Sequence, residues 1–339
     1  MPRSGTRRPY FRALSREGGC RHRGAISAPH AERTFGFRWS HVSVFPEAIG
    51  GTVVVECAVG ITPFAHCCGM TTFLFWNTRQ KPVEEAIAAL VETHMVDVLI
   101  LAEFSTRPVE LLERLNQPGK VGFHLTYGVS KGIVVFTGFS SQFVHPIFET
   151  DRISIRRLSL PARVEILLAL VHLPSKLYWS EGSQAIECTE LAREIRIQEE
   201  KAGHNRTVVV GDLNMNPFET GLVSAAGLNA VMTRDLAVRR FRTVQSKQYP
   251  FFYNPMWNHF GDEHDGPPGT YYYERSEQVC YFWNIFDQVL LRPDLMNRCS
   301  AGGVRVLTEA GNLPLLSTEG RPNTQLASDH LPLLFELDL

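Results

Sequence analysis

A bilayer-spanning segment is the first thing missing: no apolar run among the 339 residues is long enough to cross a hydrocarbon core, which points to a soluble protein. No secretory signal pattern opens the chain either, and the cysteines number seven, an odd count, the three beyond residue 69 at no metal-ligand spacing. Cys20, Cys57, Cys67 and Cys68 lie in the first 69 residues, while Cys188, Cys280 and Cys299 are scattered. That odd set argues for a reducing compartment, with the cytoplasm as the expected location. Internal repeats and low-complexity tracts are absent. Strong net charge is lacking too, at −1 overall, and a hydrophobic content of 44% supports a sizeable core. The length gives room for one large domain or two small ones.

The near-zero charge hides an asymmetry. Residues 1–69 hold no lysine, nine Arg and four Glu, a net +5 that leaves −6 on residues 70–339. A body of that sign argues against coating nucleic acid by charge alone, while a local basic groove stays compatible with it. The first 69 residues show no helical or strand period. Their Arg and Ser content partly fits a transit peptide, which would make the protein organellar. The alternative is that Met70, directly before the first clean strand, marks a true start. Residues 1–69 are then a disordered or non-native extension, and residues 70–339 form the domain.

From Met70 the pattern is regular. Thr71–Trp76 reads as a strand, Pro82–Met95 as a helix and Val96–Ala102 as a near-continuous apolar strand, a parallel pair with a right-handed crossover. Pro108–Leu115 reads as a second helix. Val121–Tyr127, Gly132–Thr137, Arg152–Leu160 and Arg163–Val171 read as strands, and Glu181–Lys201 as a long amphipathic helix with Ile186, Leu191, Ile195 and Ile197 among its apolar positions. The run VVVGDLNMNPFE, Val208–Glu219, is a buried strand ended by Gly211, with a helix predicted from near Pro217–Phe218. Residues 229–280 are irregular. Tyr281–Leu291 reads as one strand with Asp287 inside it, and Leu331–Leu337 as the last. Strands alternating with helices at both ends predict two mixed sheets packed together with helices outside, an α/β (α+β) sandwich.

Polar residues recur where an apolar strand meets a turn: Asn77, Glu103, His172, Asp212 with Asn214, and Asp329 with His330. Each alone has an ordinary reading as a turn residue, a solvated carboxylate or a core histidine; the argument rests on their joint occurrence. Together they supply oxygen ligands for a hard cation, a carboxylate to activate water, and His or Asn to hold an anion. Mg²⁺ prefers one or two carboxylates and leaves room for a substrate phosphate. The absence of Cys from the set disfavours structural zinc. Asp287, within an apolar strand, needs a partner, and a histidine would serve.

WN at 76–77, LAE at 101–103, HLP at 172–174, GDLN at 211–214, FDQVLL at 286–291 and SDHLP at 328–332 resemble, in order and spacing, the endonuclease/exonuclease/phosphatase superfamily, whose fold is that of DNase I. The resemblance covers Leu74 to Leu337. It implies a four-layer α/β/β/α sandwich and metal-dependent cleavage of a phosphoester with one or two Mg²⁺ or Mn²⁺ ions. Asn77 and Glu103 would be metal ligands, with Asp329 near the metal or serving a second ion. Asp212 would orient or deprotonate the attacking water, and Asn214 would hold the phosphate. His330, braced by Asp287, would contact the phosphate or act as base, with His172 across from it. Some nuclease members carry an acidic residue where Arg79 stands, which puts an abasic-site repair role in doubt and suggests a phosphate-binding Arg.

Family members act on DNA, RNA, inositol phosphates, sphingomyelin and nucleotide esters, so the fold does not choose the substrate. Arg240 among other basic residues, followed by Tyr253 and Trp257, could grip nucleic acid by charge and stacking. A nuclease acting on DNA or RNA is the favoured expectation. A phosphatase or phosphodiesterase on a small-molecule, nucleotide or lipid ester is the alternative, and a non-catalytic binding relative stands behind both. The sequence fixes no oligomeric state.

Overall fold

The strand MTTFLFWN, β1 (Met70–Asn77), is buried at every position after the first because both of its faces are covered. In the computed structural model, which describes residues 69–339 except Val121 and Lys131, the chain then runs through α1 (Glu84–Thr93), β2 (Val98–Ala102), α2 (Pro108–Leu115), β3 (His124–Leu125) and β4 (Ile133–Thr137). There follow β5 (Val144–Glu149), β6 (Ile153–Leu158), β7 (Ile166–His172), α3 (Glu181–Ala202), β8 (Thr207–Asp212), α4 (Thr220–Val223), β9 (Ala230–Val231) and α5 (Arg234–Ala237). The remainder is β10 (Phe241–Val244), β11 (Lys247–Pro250), β12 (Phe252–Tyr253), β13 (Tyr271–Tyr273), β14 (Phe282–Asn284), β15 (Asp287–Leu291), β16 (Val304–Val306), β17 (Glu309–Ala310), β18 (Leu313–Pro314) and β19 (Leu333–Asp338). Apart from Gly69, the segment expected to be an extension lies outside the described residues.

Two mixed sheets carry the fold. One has six strands in the order β16-β19-β1-β2-β4-β3, the other seven in the order β5-β6-β7-β8-β15-β12-β9. Each has a parallel strand–helix–strand unit at its centre, β1–α1–β2 and β7–α3–β8. A core of Phe73, Phe75, Val98 and Ile100 from the first sheet with Leu168, Leu170, Val208, Val210 and Val289 from the second fills the space between them. The outer face of the first sheet, through Leu74, Trp76, Leu99 and Leu101, packs on Ile87 and Leu90 of α1 and Leu111 of α2. The outer face of the second packs on Leu191 and Ile195 of α3. The layers therefore run helix, sheet, sheet, helix.

Helix α3 is framed by local chemistry: Oγ of Ser180 accepts from the Ser183 N–H at its start, and Gly203 takes φ 73° at its end. Its buried stripe is Gln184, Cys188, Leu191, Ala192 and Ile195, whereas Ile186, expected inward, is exposed. At the end of β8, Gly211 has φ 150°, and a Cβ there would run into the backbone of Val171 on β7. Only glycine lets these two parallel strands close up beside the site.

Two expectations need correction, and one strand is additional. The helix predicted from Pro217 begins at Thr220 and lasts a single turn, because Asn216 and Glu219 first close a turn of their own. Tyr281–Leu291 is not one strand: it breaks at Ile285–Phe286, so that β14 pairs with β13 and β15 enters the second sheet. The strand β5, with Pro146 at a bulge, is additional to the predicted strands. Within the irregular region, α5 and the β10–β11 hairpin supply local order.

Candidate active site

Strand polarity gathers the polar residues at one edge. The parallel pairs β1–β2 and β7–β8 deliver Asn77, Glu103, His172 and Asp212 at their carboxyl ends, with Asn77 opposite Ala102 and His172 opposite Asp212. Antiparallel β15 and β19 instead begin at this edge. Asp287 thus faces Asp212 across the ladder, at the start of its strand, and the turn Ser328–Asp329–His330 arrives just before Leu333. Strand ends are where α/β sheets hold ligands, since loops there leave backbone and side chains free to converge. Arg79, Glu103 and Asn214 all adopt left-handed backbone, at φ 47°, 48° and 51°, a strain that tends to collect at functional sites.

One hydrogen-bonded chain connects the two sheets. Nδ2 of Asn77 donates to Oε1 of Glu103 at 3.2 Å and to Oδ2 of Asp212 at 3.0 Å. Nε2 of His172 lies 3.3 Å from the same Glu103 oxygen and 4.0 Å from Oδ2 of Asp212. The other Asp212 oxygen accepts from the Asn214 N–H at 2.8 Å, and Nδ2 of Asn214 donates to the Leu173 carbonyl at 2.9 Å. His330 holds Asp287 through Nδ1, at 2.8 and 3.1 Å from its two oxygens. Arg79 pairs with Oδ2 of Asp329 at 2.7 Å.

Burial and charge set the protonation tendencies. Burial pushes the Asp212 carboxyl up, against the opposing pull of the His330 charge. Burial would lower His330, but the charge and hydrogen bond of Asp287, with Asp212 and Asp329 adding, raise it to about 10. His172 follows the same logic: burial works downward, and the hydrogen bond to Glu103 with the neighbouring carboxylates lifts it above its ordinary value. The hydrogen bond from His172 in turn holds Glu103 low.

The donor set suits a hard divalent cation: Glu103 is partly open to solvent, the Asn77 amide links it to Asp212, and none of the three is a thiol. Asp212, Asp287 and His330 also place ligand atoms within 4.8 Å of one another. There, however, Nδ1 of His330 is already taken by Asp287, so the accessible oxygens are those around Glu103. Asn77 presents its NH₂ to the carboxylates and its Oδ1 to the Arg79 N–H, so a carbonyl ligand would require that amide to turn over. Arg79 likewise competes for Asp329.

Two residues expected at the substrate lie elsewhere, and a third packs into an aromatic cluster. Arg240 forms an ion pair with Asp294 beyond β15. Tyr253 is buried opposite Leu291, at the far end of β15 from Asp287, under the Arg234 guanidinium 4.9 Å away. It also lines a cavity of about 720 Å³, shared with His259, His264 and Val304, that contains none of the strand-end residues. Trp257 packs into an aromatic cluster with Phe218 and Phe260. The buried Tyr253 ring, in contact with its own fold, offers no face for a base to stack on, whereas Trp257 is half-buried.

Residues not singled out from the sequence complete the site. Oγ of Ser328 donates to the Asn77 carbonyl at 2.7 Å and accepts from the His330 N–H at 3.1 Å, tying the last turn to β1. Nε1 of Trp76 donates to the His330 carbonyl at 2.8 Å. The ring of Tyr271 stacks on Phe286 and lies 4.8 Å from the His330 ring; burial and then Asp329 push its hydroxyl up to about 12. Trp76 and Ser328 lie within the motifs WN and SDHLP, and Tyr271 within the aromatic loop; no further sequence signal marks them.

A four-layer sandwich whose strand ends gather carboxylates and imidazoles at one edge belongs to the DNase I-like class of folds. The chain is a member of the Endonuclease/Exonuclease/phosphatase family, whose model matches residues 74–330. That superfamily consists of phosphoester hydrolases, typically dependent on divalent metals, and includes nucleases and phosphodiesterases. Among solved structures, truncated Caenorhabditis elegans TDP2 is 14% identical, with 79% of this chain and 97% of that one covered at a TM-score of 0.47. The human Nocturnin catalytic domain is 16% identical over 79% and 94% of the two chains, with a TM-score of 0.46. A Bacteroides thetaiotaomicron family protein is 14% identical over 79% and 94%, with a TM-score of 0.48. No curated protein matches the chain. Among the described residues, no helix is long and apolar enough to cross a membrane.

Proposed function

We propose that the chain is a divalent-metal-dependent phosphodiesterase that cleaves nucleic acid by in-line attack of water. The observation that carries this reading is the single network His172–Glu103–Asn77–Asp212, with the Asp287–His330 pair beside it, built from both sheets at one edge. Glu103, Asn77 and Asp329 would hold Mg²⁺ or Mn²⁺, which when bound supplies charge stabilisation for the phosphoryl oxygens. Asp212, fixed by the Asn77 amide and the Asn214 N–H, is aimed to orient the attacking water and take its proton. His330, its Nδ1 occupied by Asp287, has Nε2 to donate to a phosphoryl oxygen, and His172 can do so from the opposite side. Asn214 lines the same turn, and Arg79 at the mouth can exchange Asp329 for a substrate phosphate.

A compact phosphoester is the second reading, favoured by one observation: Arg240 and Tyr253, two of the residues proposed to grip a strand, lie away from the cleft. Hydrolysis of bis-p-nitrophenyl phosphate and of plasmid DNA with and without Mg²⁺ or Mn²⁺ tests the assignment. Asp212→Asn and His330→Ala are each expected to reduce the rate at least about 100-fold, as removal of a general base or of an oxyanion donor does. Equal rates in variant and wild type, or metal-independent turnover, would reject it. A panel of DNA, RNA, nucleotides and inositol phosphates separates the two readings.

A further inference from the structure

The second candidate surface lies at the end of β15 remote from Asp287. Here Arg234 donates to the carbonyls of Met296 and Cys299 at 2.5 and 2.9 Å, Arg240 pairs with Asp294, and Phe251 reaches back to Arg240 through its N–H. From this base the hairpin β10–β11 projects, closed at Val244↔Lys247 by Gln245 and Ser246 with φ 48° and 62°. All four residues of β10 are exposed, as are Lys247 and Gln248, so most of the ribbon is open to solvent. A two-stranded ribbon of this kind is marginal alone in water.

Its composition is specific. Met232, Leu236, Val238, Phe241 and Val244 are 49%, 37%, 64%, 44% and 37% exposed, an unusual density of solvent-facing apolar side chains. Interleaved with them are Arg239, Arg240, Arg242 and Lys247, and residues 232–250 carry a net +4 on a body, residues 70–339, whose net charge is −6. Arg240 and Arg242 are engaged, by Asp294 and by the Val223 carbonyl at 2.9 Å. Arg239 and Lys247 form no ion pair among the described residues.

We propose that α5 and the β10–β11 hairpin form a docking surface for an anionic lipid bilayer. Basic side chains approach the charged headgroups while Val238 and Phe241 enter the headgroup–acyl boundary. Nucleic acid would share the charge complementarity, but the exposed apolar groups are mostly aliphatic and lack the ring face that base stacking needs. The strand-end cleft sits at the other end of β15, so docking tethers the protein without presenting that cleft to the lipid it binds. The inference does not depend on the activity proposed above.

Co-sedimentation of the full chain with vesicles of phosphatidylcholine alone, and of equal parts phosphatidylcholine and phosphatidylserine, tests it. Binding to the mixed vesicles only, weakening with salt, is the expected result. Arg239→Gln combined with Lys247→Gln is expected to lower partitioning about 30-fold, the effect of two charges near an anionic surface. Val238→Ser with Phe241→Ser, both at exposed positions, is expected to weaken binding while hydrolysis of a soluble phosphodiester is unchanged. Lack of binding, or equal binding by wild type and both variants, overturns the proposal. So does binding of single- or double-stranded nucleic acid, or lipid-independent self-association, that the same substitutions abolish while vesicle binding persists.

Discussion

His330 shows most clearly how one residue's surroundings decide its chemistry. Held by both oxygens of Asp287 and facing further carboxylates, its imidazole retains a proton up to about pH 10 even though burial opposes the charge. The folded-state value lies above the ordinary imidazole value of about 6.5. The pair therefore stabilises the fold fully below about pH 6.5, and that contribution is lost as pH rises through about 10. Nitrogen NMR on the metal-free protein is expected to find His330 protonated at pH 8, and Asp287→Asn to bring its titration down towards neutrality. A neutral His330 ring at pH 8 in the wild type would contradict this and return the residue to the role of a base. A protonated ring favours the donor role, a choice that the sequence alone left open.

Among the elements, α3 and the second sheet are joined by a buried ion pair that no sequence period indicates. The Arg292 guanidinium places Nε 2.8 Å and Nη2 3.1 Å from the two oxygens of Glu199, donates from Nη1 to the Phe251 carbonyl at 3.0 Å, and lies 3.8 Å over the Phe252 ring. Oγ1 of Thr207 donates to the same carboxylate at 2.6 Å. Removing one partner strands a buried charge. Glu199→Ala is thus expected to cost about 3–5 kcal/mol in urea unfolding. Glu190→Ala breaks only the exposed pair with Arg193 on the same helix and is expected to cost less than about 1 kcal/mol. Similar losses for the two variants would show that the Glu199 pair does not hold α3 to the sheet.

Viewed whole, the molecule builds the strand-end cluster from both sheets, so a cation held there would be coupled to the integrity of the entire sandwich. Glu103 follows a strand of the first sheet and Asp212 ends a strand of the second, with Asn77 bonded to both. An ion that binds only the folded arrangement stabilises it by mass action, by about 2.7 kcal/mol at a hundredfold excess over Kd. Mg²⁺ is expected to raise the melting temperature of the wild type, chelation to reverse the rise, and Glu103→Gln to diminish it. An unchanged melting temperature at saturating Mg²⁺ would argue that the strand-end oxygens hold no such cation.

The alternation of apolar strands and amphipathic helices was legible in the sequence, because each element's burial is local: β2, β8 and α2 lie where their periodicity puts them. Legible too was the list of polar residues ending those strands, since a carboxylate after an apolar run stands out against its background. Which of them meet was decided by strand direction alone. The parallel pairing of β1 with β2 and β7 with β8, against antiparallel β15 and β19, turns six distant segments to one edge. The same topology sends Tyr253 and Arg240 to the opposite end of β15, although they are nearer in sequence to Asp287 than Asn77 or Glu103 is. Chemistry is carried by residue type, which the sequence contains in full. Proximity is created by non-local pairing, which only the closed pair of sheets defines.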